Sequence, residues 1–311
     1  MEKKSKTIVF FGNERLATGV TTSAPTLRSL ISTGYTVAGI VSNYAESHSR
    51  NLRTLEVADI AKQENIPLWL PRKALDIITE LRSLNADVGI LAAYGKIIPQ
   101  EIIDIFPYGI INIHPSLLPL HRGSTPIESV ILEGSTETGV SVMKLVKEMD
   151  AGPVYIQEKF KIPEGITKQL LAYRLLQVGG ELIMKTLPGI LEGSIIPTPQ
   201  RDDQATYDSL IKKEDGYITW NTKSAIQIER EVRAYAIWPK SRATIANKGV
   251  VITGSKVLKQ DYSDTPGKAS IQTGRLVIQC KENALEIEKL IPDGKKEMSG
   301  QAFLAGYRNL L

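Results

Sequence analysis

The chain has 311 residues, which is enough for about two domains of ordinary size. Apolar residues make up 42% and charged residues 23%, close to the globular average, which argues against a disordered or fibrous chain. The single cysteine, Cys280, excludes an internal disulfide and a multi-cysteine zinc site, and three histidines are too few for a histidine-rich metal centre. No apolar run approaches the roughly 20 residues that span a bilayer, and the apolar run after Thr7 is too short for a signal peptide. We expect a reduced, cytoplasmic protein.

The net charge of +4 is unevenly distributed along the chain. Residues 1–206 carry 21 Lys and Arg against 22 Asp and Glu, whereas residues 207–311 carry 17 against 12. A basic second half is typical of a protein with a polyanionic partner. A solvated surface with a mild excess of lysine explains the same numbers, and charge alone favours that simpler interpretation.

The first 190 residues alternate between strand patterns and helix patterns. Short runs rich in β-branched and aliphatic residues are followed by stretches with apolar residues at helical spacing. This alternation predicts an α/β fold with a doubly wound, Rossmann-like, mostly parallel sheet. The predicted strands are 6–12, 36–41, 66–70, 87–92, 109–114, 139–146 and 154–162, and the predicted helices are 25–32, 55–63, 74–84, 97–105 and 168–191.

The composition changes after residue 196. A polar stretch with two prolines predicts a linker over 197–210, between a first domain at 1–196 and a second at 211–311. The second domain has one helix pattern at 224–235 and short strand patterns at 250–253, 275–280 and 284–290. Short strands separated by Gly and Pro turns predict a small, OB-like β-barrel.

Asn112 and His114 are the first candidates for chemistry. They are two residues apart in a predicted strand, so both side chains point to the same face. They stand at its carboxyl end, where open α/β sheets form their ligand crevice. An amide that donates to a carbonyl oxygen gaining charge, beside an imidazole that takes a proton from an amine, suits acyl transfer. A polar pair bonded to the backbone is the alternative.

Asp150 is the second candidate. It ends a strand and enters a turn with Gly152 and Pro153, which can direct its carboxylate into a cleft. Near His114, that carboxylate would orient the ring and stabilise the imidazolium. Taken alone, Asp150 is more often an ordinary turn residue.

Several common motifs are absent from the sequence. Gly12 follows the first strand without the second glycine of G-x-G-x-x-G, and there is no Walker loop, C-x-x-C, H-E-x-x-H or G-x-S-x-G. Cys280 lies in an apolar strand pattern and is expected in the core. Arg50 and Arg53, with His48 nearby, follow the second strand and either face a charged substrate or form a solvated loop.

One segment resembles the folate-dependent formyltransferases. Asn112-Ile-His114-Pro-Ser-Leu-Leu-Pro119, followed by Arg122-Gly123 and Pro126, matches their N-x-H…S-L-L-P-x-x-R-G-x-x-P signature. Thr138-Gly139-Val140 and Asp150-Ala-Gly152 stand where that family has T-G-V and D-x-G. The resemblance extends from residue 8 to 308. Trp238-Pro239 and the segment 293–304 are similar to the members that formylate a charged tRNA.

The resemblance implies a site and a reaction. The catalytic residues would be Asn112, His114 and Asp150, and Arg50 and Arg53 would bind tRNA. The formyl donor would be 10-formyltetrahydrofolate, the acceptor the α-amine of methionyl-initiator tRNA, and transfer would be direct, with no metal, on a monomer. The residues expected around the folate are Ser116, Leu117, Leu118, Pro119, Ala93, Tyr94, Gly95, Val142 and Met143.

Two segments depart from the family pattern. The first turn reads Gly12-Asn-Glu-Arg-Leu-Ala17 in place of G-T-P-x-F-A, and the loop at 42–54 lacks the usual Pro-Asp and Gly-Arg-Gly pieces. In relatives that loop engages the acceptor end of the tRNA, a role that Arg50 and Arg53 would take here. Two alternatives remain, a sugar-nucleotide N-formyltransferase and a non-catalytic RNA-binding protein of the same fold.

Overall fold

A computed structural model describes residues 6–43 and 55–307. The chain forms two compact units. The first contains residues up to 127 together with 136–162 and 169–209, and the second contains 128–135, 163–168 and the chain from 210 onward. Within the described residues, no helix is long and apolar enough to cross a membrane.

The first unit is built around a seven-stranded sheet with the strand order β3-β2-β1-β4-β5-β7-β8. The strands from β3 to β5 are parallel, and β7 and β8 are antiparallel additions beside β5. This confirms the predicted doubly wound, mostly parallel sheet. Strands β6 and β9 lie outside this sheet and pair with each other. The strands of this part of the chain are β1 Thr7–Gly12, β2 Thr36–Val41, β3 Leu68–Trp69, β4 Val88–Ala92, β5 Ile110–His114, β6 Arg122–Gly123, β7 Glu137–Lys144, β8 Val154–Lys161 and β9 Tyr207–Asp208.

Strands β1, β4 and β5 are buried along nearly their whole length, as expected for parallel strands covered on both faces. The strand order changes direction at β1, between β2 and β4, and sheets of this kind bind ligands at the carboxyl ends of the strands beside such a reversal. The helices before residue 193 are α1 Pro25–Ser32, α2 Glu56–Gln63, α3 Ile78–Ser83, α4 Gln100–Ile103, α5 Pro126–Glu133 and α6 Lys168–Glu192, and most of α5 belongs to the second unit.

Two predicted helices are shorter than expected. The predicted helix at 97–105 is confined to α4, because Pro99 disfavours a helical conformation at the residue before it. The predicted helix at 74–84 begins as a 3₁₀ turn over Ala74–Ile77 and becomes α-helical only in α3.

The unusual first turn has a structural role in this chain. Glu14 is buried, and its two carboxylate oxygens accept hydrogen bonds from Thr26 N at 2.9 Å and Leu27 N at 3.1 Å, in the first turn of α1. These amides would otherwise lack partners at the helix start. Burial raises the pKa of Glu14, while the hydrogen bonds from α1 act in the opposite direction. The departure from G-T-P-x-F-A therefore supplies a helix cap.

The second unit contains an antiparallel sheet with the path β10-β11-β14-β13-β12, and β15 pairs with β14. Its core lies between this sheet and α7 and α8, and it includes Ile228, Val250, Leu276, Leu285 and Phe303. The β-rich second domain is confirmed. The elements are α7 Ala225–Ala234, β10 Ser241–Ile245, β11 Lys248–Leu258, β12 Ala269–Gln272, β13 Arg275–Gln279, β14 Ala284–Pro292, β15 Met298–Ser299 and α8 Gly300–Tyr307.

The second sheet differs from a closed barrel. Across the described residues, β10 and β12 are the two ends of the path and do not pair with each other. Both are short, and α7 and α8 cover the apolar face that closure would have enclosed. Strand β11 is also longer than the predicted 250–253, because pairing with β14 continues through a bulge at Gly254.

Candidate active site

Asn112 and His114 lie side by side on β5, and both are buried with 5% of their surface exposed. Asn112 is opposite Leu91 of β4 and Met143 of β7, and His114 is opposite Ser141 of β7. Because side chains alternate along a strand, the two polar groups share one face at the carboxyl end of β5. This is the edge of the sheet at which open α/β folds with such a switch in strand order bind their ligands.

Asp150 reaches His114 from the turn between β7 and β8. Its Oδ1 lies 3.8 Å from Nδ1 of His114, and its Oδ2 accepts a hydrogen bond from Gly123 N at 2.8 Å. The turn is tight, since a side chain at Gly152 would overlap the carbonyl oxygen of Lys144. Asp150 itself has a φ of +49°, a left-handed conformation that Asp tolerates better than most residues. The structure thus brings the three predicted catalytic residues together.

The loop after β5 returns to His114. Nε2 of His114 lies 2.9 Å from the main-chain oxygen of His121. The His121 ring forms a second imidazole–carboxylate pair, with Nδ1 3.1 Å from Oδ1 of Asp208, and its main-chain N donates to Thr206 Oγ1 at 2.7 Å. The loop from 115 to 121 is therefore fixed at its end by contacts to the 206–208 segment.

Ser141 and Gln157 hold the start of the same loop on β7 and β8. Ser141 Oγ donates to the main-chain oxygen of Ser116 at 2.6 Å and accepts from Leu118 N at 3.1 Å. Gln157 Nε2 donates to the main-chain oxygen of Leu118 and to Ser141 Oγ, both at 2.8 Å. The sequence did not indicate Ser141 and Gln157 as site residues, because an alternating strand pattern gives no sign of what a polar side chain will contact.

The residues predicted around the folate fall into two groups. Ala93, Gly95, Leu117 and Pro119 retain exposed surface, and they surround the carboxyl ends of β4 and β5. The others are buried. These buried residues are Tyr94, Ser116, Leu118, Val142 and Met143. Tyr94 belongs to the core beside Phe11, and burial raises the pKa of its phenol.

Arg122 and Gln200 form a network next to Asp150 that sequence analysis did not identify. Arg122 is 1% exposed, and its Nε and a terminal nitrogen donate to Gln200 Oε1 at 3.1 and 2.8 Å. It also donates to Asp202 Oδ1 at 2.7 Å and to the Tyr207 hydroxyl at 2.9 Å. Burial lowers the pKa of Arg122, but these hydrogen bonds outweigh it and leave the pKa above its ordinary value.

The predicted linker at 197–210 supplies most of this network, and residues up to 209 belong to the first unit. A proline-rich polar composition gives no signal of such contacts. The two arginines predicted to bind tRNA, Arg50 and Arg53, and the neighbouring His48 lie outside the described residues. Over 6–43 and 55–307, no cluster of His, Cys, Asp and Glu side chains has the arrangement of a metal site.

Comparison with known protein families gives a match to each part of the chain. The family described as formyl transferase matches residues 8–187, and the formyl transferase C-terminal domain matches residues 210–308. This chain belongs to the formyl transferase family. The first match contains all three residues of the His114 site, and the second contains the sheet of the second unit.

Curated formyltransferases are similar along almost the whole chain. The methionyl-tRNA formyltransferase of Chloroflexus aggregans is 36% identical over 305 residues, which is 96% of each chain. The methionyl-tRNA formyltransferase of Thermodesulfovibrio yellowstonii is 35% identical over 306 residues, covering 97% of this chain and 96% of its own.

Solved structures share the fold at lower identity. A sugar 3N-formyl transferase superposes with a TM-score of 0.66 at 18% identity, covering 94% of this chain and 99% of its own. HypX from Aquifex aeolicus, in complex with tetrahydrofolic acid, superposes with a TM-score of 0.66 at 16% identity, covering 97% of this chain and 47% of its own. At this identity the superpositions establish the fold alone.

Proposed function

We propose that this formyltransferase moves the formyl group of 10-formyltetrahydrofolate to the α-amine of methionyl-initiator tRNA. The observation that carries the proposal is the meeting of Asn112, His114 and Asp150 at the carboxyl edge of the sheet. The choice of acceptor is supported by relatives named methionyl-tRNA formyltransferase, which match this chain from end to end.

The three side chains fit the requirements of direct acyl transfer. The α-amine attacks the formyl carbon, and the carbonyl oxygen gains negative charge as the tetrahedral intermediate forms. The Asn112 amide donates a hydrogen bond to that oxygen, and the positive charge of protonated His114 stabilises it. Asp150, facing Nδ1 of His114, stabilises the imidazolium. Collapse breaks the bond between the formyl carbon and N10 of the folate, and the proton lost by the amine returns to N10.

The crevice edge suits a folate donor. Leu117 and Pro119 offer exposed apolar surface for a flat ring, and the main chain at Ala93 and Gly95 turns through positive φ at the end of β4. Such turns leave backbone polar groups available to a ligand. We propose that these four residues contact the folate directly and that Tyr94, Ser116, Leu118, Val142 and Met143 support them from behind.

We propose that the acceptor tRNA binds to the basic part of the chain. We propose residues 1–196 as the catalytic domain, 197–210 as the connection and 211–311 as the tRNA-binding domain, where Lys and Arg outnumber Asp and Glu. Arg50 and Arg53 are proposed to contact the acceptor end. We propose that the chain acts as a monomer. We propose that the reaction takes place in the cytoplasm, where charged initiator tRNA is used.

A formylation assay tests the proposal. Purified protein is mixed with 10-formyltetrahydrofolate and either methionyl-initiator tRNA or an amino-sugar nucleotide, and the formylated product is quantified. Product with the charged tRNA alone is expected. Product with the sugar alone would assign the chain to the sugar N-formyltransferases, and tRNA binding without either product would indicate a non-catalytic RNA-binding protein. Uncharged initiator tRNA is the matched control, because it presents the same polyanion without the reacting amine.

A further inference from the structure

We propose that Gln200 is a positioning residue, which holds the main chain of Asp150 so that its carboxylate faces His114. The inference rests on the proposed function, and it concerns a side chain in the segment that the sequence predicts as a linker. Gln200 touches neither His114 nor Asn112 through any hydrogen bond in the structure, so its effect on the reaction would pass through Asp150.

The amide of Gln200 spans the turn that carries Asp150. Its Nε2 donates to the main-chain oxygen of Asp150 at 2.7 Å and to that of Gly152 at 2.6 Å, which uses both of its hydrogens. Asp150 has a positive φ, a conformation that costs a non-glycine residue free energy and persists only when its surroundings hold it. Gln200 supplies that hold on the backbone.

Arg122 fixes the orientation of the Gln200 amide. A guanidinium can only donate hydrogen bonds, so the group that faces Arg122 must be the oxygen Oε1. Main-chain oxygens can only accept, so the group that faces the turn must be Nε2. Buried Arg122 is held in turn by Asp202 and Tyr207, and it leaves Gln200 a single satisfactory orientation. A side chain that accepts at one end and donates at the other is therefore required at position 200.

The short strand that carries Arg122 also holds the Asp150 carboxylate. Arg122 and Gly123 form β6, which pairs with β9 through Arg122 opposite Tyr207 and Gly123 opposite Asp208. Gly123 N donates to Oδ2 of Asp150 at 2.8 Å, which leaves Oδ1 towards His114. Backbone and carboxylate of Asp150 are thus both held, one through Gln200 and one through Gly123.

Gln200→Glu separates positioning from packing. The new carboxylate still accepts from Arg122, so the packing around Arg122 should be retained and thermal unfolding should stay cooperative. It cannot donate to the two main-chain oxygens, so the turn loses its hold. We expect kcat for formyl transfer to fall by about tenfold or more, because small misplacements of reacting groups are costly, with KM for the folate donor unchanged. Gln200→Met, which also lacks the donor, should show the same fall in kcat if the glutamate variant fails to fold.

Gln204→Glu is the matched control. Gln204 lies four residues further along the same segment with an exposed side chain, so the same chemical change should leave kcat as in wild type. A double-mutant cycle with Asp150→Asn, measured as kcat, distinguishes a positioning role from a purely structural one. If Gln200 acts through Asp150, Gln200→Glu should have almost no further effect on kcat in the Asp150→Asn background.

If the wild-type protein is active, either of two results would overturn the positioning role of Gln200. One is unchanged kcat in Gln200→Glu, and the other is a cycle in which the two losses multiply independently. Absence of product from wild-type protein would instead overturn the proposed function, and the positioning role with it. That failure is distinguishable because it is seen before any variant is compared.

Discussion

His114 donates a hydrogen bond from Nε2 to the main-chain oxygen of His121, 2.9 Å away, and this contact leaves Nδ1 as the nitrogen that faces Asp150. A carbonyl oxygen only accepts, so the neutral ring carries its proton on Nε2. Nδ1 is then free to take up a proton, with the carboxylate 3.8 Å away to stabilise the resulting cation. The hydrogen bond to His121 thereby determines that Nδ1, on the side of Asp150, is the nitrogen of His114 that gains a proton.

The two buried imidazole contacts predict opposite tautomers in one molecule. His114 should be the Nε2–H form when neutral, whereas His121 should carry its proton on Nδ1, which faces Oδ1 of Asp208 at 3.1 Å. Nitrogen-15 NMR of histidine-labelled protein distinguishes the two forms, and each ring is the internal control for the other. A neutral His114 protonated on Nδ1 would contradict the assignment of Nδ1 as the nitrogen that gains a proton.

Replacing His114 tests its role in the reaction. His114→Ala removes the imidazolium that stabilises the oxyanion, so turnover should fall by a factor on the order of 10² or more. Affinity for methionyl-initiator tRNA should be nearly unchanged, since the imidazole is buried. Single-turnover formylation and equilibrium tRNA binding, measured on the same preparation, separate the two quantities. Near-normal turnover would remove His114 from the mechanism.

Ser141 should affect donor binding more than chemistry. Its hydroxyl joins the main chain at Ser116 and Leu118 to the amide of Gln157, so Ser141→Ala leaves buried partners unsatisfied. We expect a loss of about 1–3 kcal/mol in the free energy of unfolding and a raised KM for the folate donor, because the loop that carries Leu117 and Pro119 loosens. Urea titration and steady-state kinetics measure the two effects. An unchanged KM would argue against this loop as the donor site.

The charge of the second domain predicts strongly salt-dependent tRNA binding. If its lysines and arginines contact phosphates, affinity should fall by at least about tenfold between 50 and 200 mM salt, since each contact releases counterions. Folate binding offers a control, because a small ligand displaces few counterions. Filter binding over a salt series gives the slope directly. A flat dependence would exclude residues 211–311 as an electrostatic docking surface.

Cys280 should be unreactive in the folded protein. It is fully buried, and burial, with a smaller contribution from Asp261, raises the pKa of its thiol to about 12. Iodoacetamide at pH 8 should modify it only after unfolding, and with one cysteine in the chain the whole signal reports this site. Because the unfolded thiol ionises at lower pH than the folded one, the free energy of unfolding should decrease above about pH 9. Rapid alkylation without denaturant would contradict the buried position.

The sequence by itself determined the order of the elements in the first unit and the side of the sheet that carries the site. Helix α1 and strand β2 have the predicted bounds, and β5 places Asn112 and His114 on one face. These features follow from the local periodicity of apolar residues, which depends only on residues close together in the chain. The family motif added the expectation that Asp150 joins them.

Only the tertiary structure decided how the site is held. Asp150 meets His114 because β7 and β8 pair beside β5, and Gln200 meets Asp150 because a segment with no periodic pattern packs against β6. The second sheet remains open because helices α7 and α8 cover its apolar face. Each of these outcomes depends on contacts between residues far apart in the chain, and such contacts leave no trace in the spacing of nearby residues.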